Sequence, residues 1–142
     1  MSFYLDASVL IPILVQEPAT AAVKAYVISA EEPLLVSEFA AAEVASALSR
    51  LVRMRLLDDG DAAARVSDFE IWRAAVTQPV ELHPIDARLA YAYVRRFDLR
   101  LRAPDALHLA ISRRTGARLV TFDRRLAEAG RALSVAVEMP VG

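Results

Sequence analysis

The chain has 142 residues, 56% of them hydrophobic and 25% charged, with a net charge of −1 and no cysteine. Length and hydrophobicity suffice for one folded core, which excludes disorder as the main state. The absent cysteines exclude disulfides, thiolate metal ligands and cysteine nucleophiles. With 17 basic and 18 acidic residues there is no whole-molecule basic field for non-specific nucleic-acid binding, although a local site stays open. The longest apolar run, Val9 to Val15, is too short to span a bilayer, and Met1 to Asp6 has no basic leader. A cytoplasmic protein without membrane contact is expected.

Elements follow in chain order. Phe3-Tyr4-Leu5 reads as a strand ending at Asp6. Ala7 to Gln16 reads as a helix that Pro12 shortens or kinks, and Pro18 opens a second helix to Ser29. Leu34-Leu35-Val36 is a second strand, and Ser37 caps a helix running to Met54. Asp58 or Asp59 starts the next helix, to Val76. Val80-Glu81-Leu82 is a third strand, and Asp86 caps a helix to Phe97. Pro104 stands in the first turn of a helix that Gly116 closes. Arg118 to Phe122 is a fourth strand, Arg124 to Ala129 a short helix, and Val135-Ala136-Val137 a last strand. Short apolar strands separated by helices imply an α/β domain with a mainly parallel sheet. Ligands of such sheets bind beyond the C-terminal strand ends.

Two strands end there in carboxylates, Leu5-Asp6 and Phe122-Asp123. Two more acids stand in unexpected company. Glu43 lies mid-helix with Phe39, Ala40, Ser46 and Ala47 on its face, and Asp105 opens a helix in PDALHLA. Singly, Asp6, Asp105 and Asp123 are explained as turn formers or helix caps. Glu43 has no such excuse, since its nearest basic candidate on that face is Arg50, two turns away. Two like charges at ~4 Å repel by about 4 kcal/mol at an effective dielectric of 20. A hard divalent cation relieves that, and an all-oxygen donor set suits Mg²⁺ or Mn²⁺. Metal-dependent phosphodiester hydrolysis follows as the expectation.

LDAS (5–8), Glu43 in AEVASAL, Asp105 in PDALHLA and Thr121-Phe122-Asp123 with RRLAEAG together make a pattern. In order and spacing it resembles PIN-domain proteins, most closely VapC-type toxin ribonucleases, over nearly the whole chain. The resemblance implies a single PIN-like domain over residues 1–142, a three-layer α/β/α sandwich with a five-stranded sheet ordered 3-2-1-4-5. It implies Mg²⁺- or Mn²⁺-dependent cleavage of RNA, such as tRNA or rRNA, by the quartet Asp6, Glu43, Asp105 and Asp123. Asp6 and Asp105 would be direct metal ligands. Glu43 and Asp123 would hold a second metal or act through water, and Ser8 and Thr121 would orient carboxylates or water. A homodimer and silencing by a VapB-type antitoxin are further implications.

Arg100 and Arg102, just before Asp105, are the arginines best placed by sequence to meet RNA phosphates. His108 is three residues from Asp105, but its apolar neighbours make it a core or interface histidine. His83 reads as structural. Phe69, Trp72 and Val76 read as core or a partner-helix groove, and Glu38 as a helix-dipole partner. Three other functions compete. A non-catalytic PIN-like binding module is disfavoured because all four acids are present. A haloacid-dehalogenase-like phosphotransferase needs an Asp where Ser8 stands. A PIN nuclease for RNA processing without an antitoxin differs only in its partner.

Overall fold

The computed structural model describes residues 1–140. Five strands, β1 (Phe3–Leu5), β2 (Leu34–Ser37), β3 (Thr77–Val80), β4 (Arg118–Val120) and β5 (Val137–Glu138), form one sheet in the order β3-β2-β1-β4-β5. Every pairing is parallel. Seven helices connect them: α1 (Ala7–Leu14), α2 (Thr20–Ser29), α3 (Glu38–Arg53), α4 (Asp59–Val76), α5 (Pro84–Val94), α6 (Ala103–Thr115) and α7 (Arg124–Ala132).

Side-chain alternation divides the sheet between two cores. Tyr4, Leu35 and Leu119 point to one face and pack with α5, α6 and α7 through Ala90, Leu109 and Leu126. Leu5, Leu34, Val36 and Val120 point to the other and pack with α1 to α4 through Val9, Val23, Val44 and Phe69. Helices thus cover both faces, giving the expected three-layer α/β/α sandwich. Trp72 is half-buried against the second core and stacks on Phe69.

The order places β2 and β4 on opposite sides of β1. Chain connections diverge there, so a crevice opens beyond the C-terminal ends of β1 and β4. Asp6 and Thr121 directly follow those two strands.

Several local expectations shift. The third strand is Thr77–Val80 rather than Val80–Leu82, and it contains Pro79. A proline cannot donate to a ladder, but β3 is an edge strand, where the missing N–H is tolerated. Asp86 is not the cap of α5. His83 holds that position, and Asp86, three residues on, accepts the His83 N–H at 2.8 Å. Helix α5 ends at Val94, and a single 3-10 turn, Phe97–Leu99, follows. Helix α1 stops at Leu14, two residues past Pro12, whose carbonyl accepts the Thr20 hydroxyl at 2.7 Å. Helix α2 begins at Thr20 rather than Pro18, β4 ends at Val120 rather than Phe122, and β5 begins two residues later than expected. Gly116 closes α6 at φ 70°, as its position predicted.

Candidate active site

Asp6 follows β1 as the N-cap of α1 and is buried. Its Oδ1 accepts the Ser8 hydroxyl at 2.6 Å and the Val9 N–H at 3.3 Å. Its Oδ2 accepts the Thr121 hydroxyl at 2.5 Å. Burial pushes the Asp6 carboxyl above the usual range. The Ser8 and Thr121 hydroxyls and the Val9 N–H oppose that shift without cancelling it.

Thr121 links two acids. It donates to Asp6 and accepts the Asp123 N–H at 3.0 Å. Ser8 supports the same junction by accepting the Phe122 N–H at 3.0 Å. Asp123 caps α7, its Oδ1 accepting the N–H groups of Arg125 and Leu126. The capping account of Asp6 and Asp123 is therefore true, and it uses only part of each carboxylate. Among the described residues, Asp123 Oδ2 has no hydrogen-bond partner, and one lone pair of Asp6 Oδ2 remains.

Asp105 sits in the first turn of α6, its Oδ2 accepting the Arg102 N–H at 3.3 Å with the Arg102 guanidinium 3.7 Å away. Its Oδ1 is without a partner among the described residues. Glu43 projects from the middle of α3, where its Oε1 meets His108 Nε2. Its side chain is 30% exposed, and Oε2 is likewise unpartnered. Glu43, Asp105 and Asp123 are each held through one oxygen and leave the other free among the described residues, whereas Asp6 is held through both and keeps only a lone pair on Oδ2.

Glu43 and Asp105 line one cavity of about 700 Å³ together with Glu17, Arg50, Arg53 and Arg102. Asp105 and Asp123 line a neighbouring cleft of about 520 Å³ with Arg102, Arg124 and Arg125. Asp105 and Arg102 belong to both. Asp6 lines neither and joins the set through Thr121. Among the described residues no three His, Cys, Asp or Glu side chains form a group able to hold a metal ion by themselves. Three of the acids are thus spread along adjoining clefts, with Asp6 tied to them through Thr121, rather than closed into one cage. This fits an ion such as Mg²⁺, which takes one or two carboxylates and fills its remaining positions with water and substrate oxygens.

Of the two arginines singled out by sequence, Arg102 lines both clefts. Arg100 does not. It adopts a left-handed backbone (φ 54°) and borders a third hollow with Asp98, Arg125 and Glu128, which shares Arg125 with the second cleft but none of the four acids. Sequence reasoning placed His108 in the core, and it is 3% exposed. Its contact with Glu43 was missed, because the partner comes from α6 and not from the face of α3 itself. The signal available was Glu43 without a cation on its own helix and a polar residue three positions from Asp105. Glu38 starts α3 and pairs with Arg73 at 3.2 Å, and His83 caps α5; both are structural, as read from the sequence.

Comparison with known proteins agrees with this architecture. The PIN domain family pattern matches residues 3–132. Ribonuclease VapC46 of Mycobacterium tuberculosis is 32% identical over 142 residues, covering 98% of either chain. Among solved structures, VapC20 of Mycobacterium tuberculosis, a sarcin-ricin loop cleaving toxin, superposes with a TM-score of 0.72 at 19% identity, over 90% of this chain and 95% of that one. VapBC2 from Rickettsia felis, solved bound to a DNA fragment from its promoter, superposes with a TM-score of 0.72 at 13% identity, over 98% of each chain. The structural likenesses carry the fold, and the family match and the 32% identity carry more than that: the chain belongs to the PIN-domain family.

Proposed function

We propose that this chain is a metal-dependent endoribonuclease and the toxin of a VapBC-type toxin–antitoxin pair, its 142 residues forming a single PIN-like domain. The observation that carries the reading is the buried Asp6 carboxylate, held by Ser8 and Thr121 at the switch point of a parallel sheet beside clefts lined by Glu43, Asp105 and Asp123. Burying a carboxylate is costly and contributes little to stability by itself. A site that needs a fixed anion accounts for it.

Asp6 and Asp105 would hold a Mg²⁺ or Mn²⁺ ion, with Glu43 and Asp123 holding a second ion or acting through its water. Such an ion, when bound, lowers the pKa of a coordinated water and neutralises charge on phosphate oxygens. The chain's own residues supply geometry. Ser8 and Thr121 fix Asp6, and the α7 N-terminus fixes one oxygen of Asp123. Arg102 positions an RNA phosphate between the two clefts. In the reaction, the water oxygen would bond to phosphorus and give up one proton, the ester P–O bond would break, and the leaving oxygen would take up one proton, so that water adds across the bond. RNA such as tRNA or rRNA is the proposed substrate, and the cytoplasm the proposed place of action. A cognate VapB-type antitoxin and a second copy of the chain are the proposed partners. The toxin–antitoxin naming of its structural likenesses supports the first. No helix among the described residues is long and apolar enough to cross a membrane.

The test is expression of the wild type beside Asp6→Asn and Asp105→Asn, with total RNA examined for new cleavage ends. Growth arrest with discrete new ends from the wild type alone is the expected result. Arrest or metal-dependent cleavage by all three proteins would remove the acidic site from the account.

A further inference from the structure

A buried chain of side-chain hydrogen bonds runs from the sheet to Glu43. Ser37, at the end of β2, accepts the Ala40 N–H at 2.9 Å as the cap of α3. Its hydroxyl lies 2.7 Å from the Tyr4 hydroxyl, which lies 2.7 Å from His108 Nδ1. His108 Nε2 then meets Glu43 Oε1. Tyr4 and Ser37 are wholly buried. The imidazole is boxed by Tyr4 and Phe39, with ring centroids 5.6 and 5.2 Å away. A tyrosine phenol, with an ordinary pKa of about 10, carries its proton at neutral pH.

One arrangement of hydrogens satisfies every member. Ser37 accepts the Ala40 N–H, and among the described residues the Tyr4 oxygen is the acceptor within reach of its own hydrogen, so Ser37 donates to Tyr4. Tyr4 then donates to Nδ1. With Nδ1 an acceptor, the imidazole hydrogen sits on Nε2 and points at Glu43. Were Nδ1 to carry a hydrogen instead, Tyr4 would have to donate to Ser37. The Ser37 hydrogen would then have no acceptor in a site closed to water.

We propose that His108 is a positioning residue, whose Nε2–H, set by the Tyr4–Ser37 relay, holds one oxygen of Glu43 and leaves the other at the wall of the cavity shared with Asp105. The proposal rests on the ribonuclease reading for its catalytic consequence and on the hydrogen-bond chain alone for its geometry. Neither the cap of α3 nor the packing of α6 requires a histidine here, and a hydrophobic residue would fill the same box. Outer partners that orient ligating groups change metal affinity or activity by about 10–100-fold when removed.

Two measurements test it. Long-range ¹H–¹⁵N spectra of the metal-free, ¹⁵N-labelled wild type report the tautomer directly. The Nε2–H form is expected for His108, and loss of that single form is expected in Tyr4→Phe. A wild-type Nδ1–H tautomer would overturn the proposal. The second measurement compares His108→Gln with His108→Asn. A glutamine amide reaches the place of Nε2 and can donate to Glu43, whereas asparagine reaches only the place of Nδ1. Cleavage of single-stranded RNA in Mn²⁺ is expected to survive within a few-fold in His108→Gln and to fall about 10–100-fold in His108→Asn. Both variants lose the ring, so a purely structural role would move them together, and equal activities would refute the positioning role. If the wild type itself cleaves no RNA in Mg²⁺ or Mn²⁺, the ribonuclease reading fails, while the tautomer still judges the relay. If both variants unfold, the wild-type spectrum decides.

Discussion

Thr121→Val is the sharpest probe of how the site is built. Valine keeps the methyl and nearly the volume of threonine and removes only the hydroxyl. Thr121 is wholly buried, so no water replaces what is lost. Two short bonds disappear, the one donated to Asp6 Oδ2 at 2.5 Å and the one accepted from the Asp123 N–H at 3.0 Å, together with a longer contact to Ser8 Oγ at 3.3 Å. A hydrogen bond to a charged group is worth about 1.5–3 kcal/mol, and a stranded N–H costs about 1–3 kcal/mol. The added apolar group returns part of this, so a net loss of about 3 kcal/mol is expected, a large share of the ~5–15 kcal/mol that stabilises a typical domain. At ~2–4 °C per kcal/mol for a chain of this size, Tm falls by about 6–12 °C. Urea and thermal unfolding followed by circular dichroism measure the loss. RNA cleavage, assayed well below Tm, is expected to fall about 10–100-fold because Asp6 loses a positioning partner. Thr121→Ser restores the hydroxyl and is expected to recover most of both. A loss under about 1 kcal/mol in Thr121→Val, or a serine variant no better than valine, would refute the reasoning.

Three other outcomes are expected. Asp86, 1% exposed, accepts Arg114 Nε at 2.7 Å and Nη2 at 3.0 Å, tying the start of α5 to the end of α6. Burial pushes the Asp86 carboxyl up, but the Arg114 fork and the His83 N–H outweigh it and hold the carboxyl below its ordinary value. Arg114→Met strands a buried carboxylate and is expected to cost about 3 kcal/mol at pH 7. Because the folded-state pKa is depressed, the pair stabilises the fold above the unfolded value of about 3.9 and loses that contribution as pH falls through the folded value. The gap between wild type and variant in denaturation midpoints therefore closes on acidification, and a gap that widens would count against it. Gly130→Ala would gain about 1 kcal/mol of helix propensity on an exposed surface. Here its Cβ would stand 2.6 Å from Val137 Cγ2 and 3.1 Å from Leu109 Cδ2, so a net destabilisation of about 1 kcal/mol is expected from overpacking, and a raised Tm would contradict it. Arg102→Ala is expected to weaken binding of single-stranded RNA and reduce its salt slope by about 0.7, while Arg100→Ala leaves both unchanged, as filter binding across a salt series will show.

Much was legible in the sequence because the signals are local. Strand-end carboxylates, helix caps at Ser37 and Asp58, and the closure of α6 by Gly116 depend on residues a few positions apart. The uniformly apolar runs Phe3-Tyr4-Leu5 and Leu34-Leu35-Val36 marked strands covered on both faces. The order of the acidic segments pointed to the family before any geometry was known. What depends on long-range pairing was not legible. Pro79 could join a strand only because β3 lies at the sheet edge. Arg102 and Arg100 separate because a left-handed residue turns the chain between the 3-10 turn and α6. His108 meets Glu43 across 65 positions, and Thr121 meets Asp6 across 115. Composition and spacing determined that four acids would stand at the ends of strands and on helices of an α/β sheet. Only the tertiary structure decided how each is held, since an unpaired polar atom is costly in a water-poor interior and the partners lie wherever the fold brings them.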